Sequence, residues 1–165
     1  MAIELKLKLK EGDKAPNFSA LTNGGDEISL ADFKGKAVIL YFYPRDDTPG
    51  CTKEACGFRD HFEAFTKKGA VVLGVSVDPV KTHDKFVAKF KLPFPLLADA
   101  KGELARRYGS LRDLGVIKFA RRNTFLIDPQ GRVAKVYLSA NTSRNSQEVI
   151  DDLKKLTVLH ASNNP

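Results

Sequence analysis

Cys51 and Cys56 are the residues whose type and spacing best suit chemistry, and they are the two cysteines of the chain. In a reducing compartment, a pair so close together is more often reactive or metal-binding than a structural disulfide. Cys51 follows Thr48 and Pro49, which suit the N-cap and first turn of a helix. The pattern therefore predicts that Cys51 lies in a first helical turn, where unpaired backbone N–H groups favour a thiolate.

A helix terminus alone does not ionise a thiol. Lowering a thiol pKa from about 8.5 to about 6 requires roughly 3.4 kcal/mol, whereas a helix N-terminus contributes ~2 kcal/mol at best. Arg122 is the candidate cation, because it precedes a predicted strand at 124–127 that we expect beside the strand ending at Tyr43. Its guanidinium stays charged and has several donors. The alternative is that Arg121 and Arg122 are a solvated pair at a strand entrance.

Cys56 lies off the apolar stripe that Cys51 shares. At 100° per residue, Cys56 is about 140° from Cys51, so it is poorly explained as a small core residue. Five helical residues rise about 7.5 Å, beyond the ~6.8 Å limit for disulfide-linked Cα atoms. The two sulfurs can therefore bond only if the first helical turns unwind. The other residues of the stripe are Ala55, Phe58, Phe62 and Phe65.

Other uses of the cysteines fit less well. A structural zinc site needs about four ligands at short spacings, and beyond the cysteines the chain offers His61, His83 and His160, which are scattered. We expect no metal and no cofactor. The C-x4-C spacing differs from the C-x-x-C of thioredoxin-like reductases. A non-enzymatic redox switch remains an alternative.

Hydrophobic runs and turn signals predict one α/β domain over residues 1–165, with a mixed central sheet flanked by helices. Strands are predicted at 5–9, 37–43, 71–77, 124–127 and 133–138, and a Pro-bounded segment lies at 92–97. Helices are predicted at 51–67, 81–90, 101–108 and 146–156, with a frayed end beyond His160. Residues 23–25 form a predicted turn in an irregular stretch. Residues 44–51 follow a strand's carboxyl end, where open α/β sheets bind ligands.

Composition and charge argue against nucleic-acid binding, membrane insertion and secretion. The net charge is +7 and 28% of residues are charged, but the basic residues are scattered and lack an aromatic platform, so we expect no nucleic-acid binding. No apolar run approaches the ~18 residues needed to span a bilayer. The N-terminus alternates Leu and Lys instead of resembling a secretory signal. A cytoplasmic protein without membrane contact is expected.

The stretch Pro44-Arg-Asp-Asp-Thr48-Pro-Gly-Cys51 resembles the P-x-x-x-T-x-x-C motif of peroxiredoxins. The C-x4-C spacing resembles the bacterioferritin-comigratory, or peroxiredoxin Q, subfamily. Similarity extends from residues 12–18 through 122–128 to the last helix. The resemblance implies a thioredoxin-like fold with an N-terminal β extension.

The resemblance also implies a role for each residue of the site. Cys51 would be the peroxidatic cysteine and Cys56 the resolving cysteine of an internal disulfide. Pro44 would shield the site, and Thr48 would hydrogen-bond the sulfur or the peroxide. Arg122 matches the family's arginine by its spacing to Thr124 and Phe125.

The implied activity is thiol peroxidation, in a protein of a mostly monomeric subfamily. The substrates would be hydroperoxides, and the reductant would be thioredoxin or glutaredoxin. Residues 115–121 look shorter than the corresponding loop in many relatives, which leaves substrate preference open. A disulfide reductase is disfavoured, because no proline lies near residues 122–124, where such reductases usually carry one.

Overall fold

The computed structural model describes residues 9–163, with side chains described as far as residue 156. The alternating segment predicted as an N-terminal strand lies outside the described residues except for Leu9, which is not in a strand. Among the helices of the described part, none is long and apolar enough to cross a membrane.

A mixed sheet forms the centre of the described chain, as predicted. Its seven strands lie in the order β2-β1-β5-β4-β3-β8-β9. Strand β3 runs parallel to β4 and antiparallel to β8. The strands are β1 (Ser19–Thr22), β2 (Glu27–Ser29), β3 (Val38–Phe42), β4 (Val71–Ser76), β5 (Leu96–Ala98), β6 (Leu111–Asp113), β7 (Lys118–Ala120), β8 (Thr124–Ile127) and β9 (Val133–Tyr137).

Helices cover both faces of this sheet. They are α1 (Pro49–Asp60), α2 (Phe62–Lys67), α3 (Val80–Phe90), α4 (Glu103–Arg107) and α5 (Asn145–Asn163), and a short 3-10 turn spans Leu30–Phe33. Strand β3 is buried along its whole length, because its side chains enter two separate cores in alternation. Tyr41 packs with residues of α1 and α5 on one face, and Phe42 packs with residues of α4 and β8 on the other.

The predicted helix over 51–67 is two helices. Helix α1 begins at Pro49 and ends at Asp60, and α2 begins at Phe62. Between them His61 leaves helical geometry, and its ring Nδ1 lies 3.0 Å from the hydroxyl of Ser146 at the start of α5. This contact comes from a residue 85 positions away, so the local apolar pattern did not reveal the break.

Two hairpins were missed by the sequence analysis. The stretch predicted as irregular forms the β1–β2 hairpin, with the predicted turn at its tip, where Gly25 N–H donates to the carbonyl of Thr22. Residues 111–120 form the β6–β7 hairpin, whose tip exposes Leu114, Val116 and Ile117. Each of these strands has only three or four residues, too few for a periodicity of two to stand out.

The remaining elements lie close to their predicted positions, with two differences. The Pro-bounded segment contributes strand β5 at its C-terminal end only. The last helix continues to Asn163, beyond the predicted end at residue 156 and the predicted fraying after His160. Strand β8 has the predicted bounds, and it lies beside β3 with Thr124 opposite Tyr41. That pairing brings the residues before β8 to the end of β3 where α1 begins.

Phe58 fixes α1 to this sheet. Its ring is fully buried and stacks on Tyr41 with a centroid separation of 4.6 Å. We expect Phe58→Ala to lower the free energy of unfolding by about 3–5 kcal/mol, because it leaves a cavity under α1. Phe62→Ala is the matched control, since Phe62 is only partly buried at the edge of the same core. Urea denaturation of both variants measures the difference; equal losses would contradict this account of the packing.

Candidate active site

Cys51 occupies the third position of α1, as predicted. Thr48 is the N-cap residue and Pro49 the first helical residue, so Cys51 lies within the turn whose backbone N–H groups lack helical partners. The thiol is buried, with 1% of the residue exposed. Burial removes water from the sulfur, while the helix N-terminus favours negative charge on it.

Arg122 reaches the sulfur from the segment that precedes strand β8. Its Nη2 donates to Cys51 Sγ at 3.3 Å, and its Nη1 donates to Glu54 Oε1 at 3.0 Å. The antiparallel pairing of β8 with β3 continues past the strand ends, because Phe42 N–H donates to the carbonyl of Asn123. This pairing carries Arg122 to the start of α1. Arg122 is therefore not a solvated surface residue, which was the alternative raised by the sequence.

Gly50 makes room for this approach. A Cβ at Gly50 would lie 3.3 Å from Arg122 Nη2, a tight contact, and 3.6 Å from Thr142 Cγ2, an ordinary one. The absence of a side chain at Gly50 thus leaves room for the guanidinium beside the sulfur. The sequence analysis did not assign a role to this glycine.

Glu54 is a site residue that the sequence analysis missed. It is 1% exposed, and one of its oxygens, Oε2, has no hydrogen-bond partner. Burial raises the pKa of the Glu54 carboxyl to about 7, although the charge and hydrogen bond of Arg122 oppose the rise. Burial alone would lower the pKa of Arg122, but its contacts with Cys51 and Glu54 raise it above its ordinary value. The guanidinium therefore remains a full positive charge next to the sulfur.

Cys56 lies on a different side of α1 from Cys51. It is half-buried, whereas Cys51 is buried, and both thiols are free. Both residues belong to the unbroken helix α1, so the rise of about 7.5 Å over five residues separates their Cα atoms. The folded helix keeps the two sulfurs apart.

Thr48 and Pro44 lie where the sequence placed them, but the hydroxyl of Thr48 is engaged differently. The prediction that its side chain caps the helix is wrong: Thr48 Oγ1 donates to the carbonyl of Arg45 at 3.0 Å, and no side-chain cap bond is formed. The hydroxyl closes the preceding turn instead. Pro44 lies two residues beyond the end of β3 and is half-buried.

His61 and His83, the histidines whose side chains are described, make hydrogen bonds with distant parts of the chain. Within the described residues no group of three or more His, Cys, Asp or Glu side chains is arranged to bind a metal ion. His61 bonds Ser146, and His83 is fully buried with both ring nitrogens in hydrogen bonds. Sequence spacing had marked neither contact, since both partners come from distant elements.

Comparisons with known proteins agree with this geometry. The profile of the AhpC/TSA family matches residues 11–136. The putative peroxiredoxin Bcp of Coxiella burnetii is 46% identical over 151 residues, covering 89% of this chain and 100% of the relative. The crystal structure of peroxidoxin BcpB from Mycobacterium tuberculosis superposes with a TM-score of 0.85 at 34% identity, covering 89% of this chain and 97% of that one.

A second solved structure extends the similarity to a protein with a described activity on peroxides. The bacterioferritin comigratory protein of Xanthomonas campestris, described for its alkyl peroxide reduction activity, superposes with a TM-score of 0.81 at 31% identity. The match covers 88% of this chain and 98% of that protein. The family match over residues 11–136 includes the segments that carry Cys51 and Arg122.

The raised pKa of Glu54 predicts a pH-dependent stability. Between pH 4.5 and about 7 the unfolded chain loses this proton while the folded chain retains it, so the free energy of unfolding falls as pH rises. Glu54→Gln lacks this titration. We expect the stability of wild type minus that of the variant to fall by up to about 3 kcal/mol over this range.

Urea denaturation at a series of pH values from 4 to 8 measures this difference. The matched control is Glu63→Gln, because Glu63 lies on the exposed side of α2 with its side chain 82% accessible. The control should show no comparable slope. A difference that does not change with pH for Glu54→Gln would contradict the raised pKa.

Proposed function

Because this chain belongs to the AhpC/TSA family and is similar to its bacterioferritin-comigratory peroxiredoxins, we propose that it is a thiol-dependent peroxidase that uses Cys51 as its peroxidatic cysteine. The observation that supports this role most directly is the 3.3 Å contact of Arg122 Nη2 with Cys51 Sγ at a helix N-terminus. A buried thiol with a permanent cation and spare N–H donors is suited to nucleophilic attack.

The first step is an attack by the Cys51 thiolate on the peroxide oxygen that carries hydrogen. The S–O bond forms as the O–O bond breaks, the sulfur becomes a sulfenic acid, and the other oxygen departs as hydroxide or alkoxide and takes up a proton. Arg122 and the backbone N–H groups of α1 would stabilise the charge that spreads along the S–O–O line. Thr48, after turning from Arg45, would hydrogen-bond the sulfur or the peroxide, and Pro44 would shield the site.

The second step is the formation of an internal disulfide. The Cys56 thiol condenses with the Cys51 sulfenic acid, forming the S–S bond and releasing water. Since an intact α1 separates the two residues by about 7.5 Å of rise, its first turns must unwind first. An external dithiol then reduces the disulfide by thiol–disulfide exchange.

We infer hydrogen peroxide and organic hydroperoxides as substrates, thioredoxin or glutaredoxin as the reductant, and a monomer in the cytoplasm as the working form. The alkyl peroxide activity described for the Xanthomonas campestris protein supports the organic substrates. No metal or organic cofactor enters either step. A redox switch and a disulfide reductase are not favoured, because both leave the Arg122–Cys51 contact without a purpose.

Coupled turnover tests the two cysteine roles. With hydrogen peroxide, thioredoxin and thioredoxin reductase, wild type should consume NADPH. Cys51→Ser should lose turnover because it lacks the nucleophile. Cys56→Ser should react once with peroxide and then stop, because no internal disulfide forms. If wild type turns over no hydrogen or alkyl peroxide with any dithiol, the proposal fails.

Arg122 variants test the cation. We expect Arg122→Met to lower the rate constant for oxidation of Cys51 by about 10²–10³, the usual effect of removing one transition-state donor. Arg122→Lys should lose less, because it keeps the charge but not the two-donor geometry. Arg121→Met is the matched control and should stay near wild type. Rapid quench and mass spectrometry of the Cys56→Ser background measure this step; equal losses at 121 and 122 would contradict the assignment.

A further inference from the structure

The loop of residues 43–48, between β3 and α1, is held by hydrogen bonds from its own residues and from β4 and α3 side chains and their neighbours. The backbone N–H of Asp46 donates to the carboxylate of Asp78 at 2.8 Å, and the Thr48 hydroxyl donates to the carbonyl of Arg45. Asp47 adopts a left-handed conformation with φ of +57°, which an aspartate tolerates only at some cost. The conformation of this loop therefore depends on the hydrogen bonds that hold it, which we call its anchors.

Asp46 and His83 form the most buried of these anchors. The Asp46 and His83 side chains are 1% and 0% exposed, and Asp46 Oδ2 lies 2.7 Å from His83 Nδ1. The other carboxylate oxygen accepts a hydrogen bond from the Tyr43 hydroxyl at 2.6 Å. The other ring nitrogen, Nε2, lies 2.8 Å from the carbonyl of Leu97. The contact joins the loop to α3 and, through His83, to β5.

The hydrogen-bond inventory of this pair is complete. A carbonyl only accepts, so Nε2 of His83 carries a hydrogen and donates it to Leu97. The contact between Nδ1 and Asp46 then holds one further hydrogen, on either the ring or the carboxyl group. Every polar atom of the two side chains is thus satisfied while the loop is docked. Removing one partner leaves the other buried without its hydrogen bond, which is costly.

We propose that Asp46 and His83 are positioning residues that keep the turn at Thr48–Cys51 seated, and that they thereby set the balance between the wound and unwound forms of α1. This inference rests on the proposed function, because it assigns each form to one step. The wound form holds Cys51 beside Arg122 for attack on peroxide, and the unwound form lets Cys51 reach Cys56. Weakening the pair should slow the first step and speed the second.

A second contact between this loop and α3 is exposed to solvent, and it provides a control for the buried pair. Lys89 Nζ lies 2.7 Å from Asp47 Oδ2, with the two side chains 59% and 47% exposed. Exposed ion pairs of this kind contribute little to stability. Lys89→Ala therefore removes a tie between α3 and the loop without disturbing the buried pair.

Two variants of Asp46 and one of its partner Tyr43 distinguish loss of the hydrogen bonds that hold the loop from a general loss of packing. Asp46→Ala removes the carboxylate. Asp46→Asn restores the geometry without charge, because its amide N–H donates to Nδ1 of a neutral imidazole and its oxygen accepts from Tyr43. Tyr43→Phe removes only one hydroxyl and gives a milder version of Asp46→Ala if that variant folds poorly.

Hydrogen exchange of the reduced protein tests the anchor without any peroxide. We expect exchange at amides of residues 52–56 to rise about tenfold or more in Asp46→Ala, since loss of one member of a buried pair shifts a local equilibrium by at least that factor. Tyr43→Phe should show a smaller rise. Asp46→Asn and Lys89→Ala should match wild type. Unchanged exchange in Asp46→Ala, or equal increases in Asp46→Ala and Asp46→Asn, would overturn the inference.

Rapid quench then measures the two chemical steps. In Asp46→Ala, oxidation of Cys51 should slow about tenfold while conversion of sulfenic acid to disulfide accelerates, and less sulfinic acid should form in excess peroxide. If both steps slow, the variant has only damaged the packing of the protein, and the proposed role of the pair in the balance between the wound and unwound forms of α1 is wrong. If exchange responds as expected but wild type reduces no peroxide, the anchor stands and the proposed function fails.

Discussion

The approach of the Arg122 guanidinium to the sulfur of Cys51 is the contact on which the rest of the site depends. It requires β8 to pair antiparallel with β3, so that Arg122 arrives where α1 begins. Gly50 leaves room for it, because a Cβ there would lie 3.3 Å from Nη2, a tight contact. Glu54 holds the second arm of the guanidinium. The contact places a permanent positive charge beside the sulfur, in addition to the N-terminus of α1.

A thiol-dependent peroxidase of this design needs two incompatible positions for one cysteine. Attack on peroxide favours Cys51 buried beside a cation, as in this structure. Disulfide formation requires it beside Cys56, which the helix keeps about 7.5 Å further along the axis. The enzyme therefore needs α1 to be stable enough to form the site and weak enough to unwind in each cycle.

Two buried carboxyl groups near the start of α1 differ in how completely they are hydrogen-bonded. Glu54 keeps an unpartnered oxygen and a raised pKa, which is a cost in folding free energy. The carboxylate of Asp46 is by contrast fully satisfied by His83 and Tyr43. The two groups lie on either side of Cys51 in sequence, one in the loop and one in the helix. The start of α1 thus combines a satisfied anchor with an incompletely satisfied one.

Local pattern determined much of this protein. The Thr48–Cys51 turn predicted the helix start, and the unbroken apolar run over 37–43 predicted the buried central strand. The spacing of Cys51 and Cys56 predicted that an intact helix keeps the two sulfurs apart. These features depend on neighbouring residues. Other features were decided only by tertiary structure: the buried Glu54, the Asp46–His83 pair and the break at His61. Their partners lie 37 to 85 positions away, so no local pattern encodes these contacts. From the sequence alone a charged residue is predicted to be exposed, because the partner that allows its burial is brought close only by the tertiary fold.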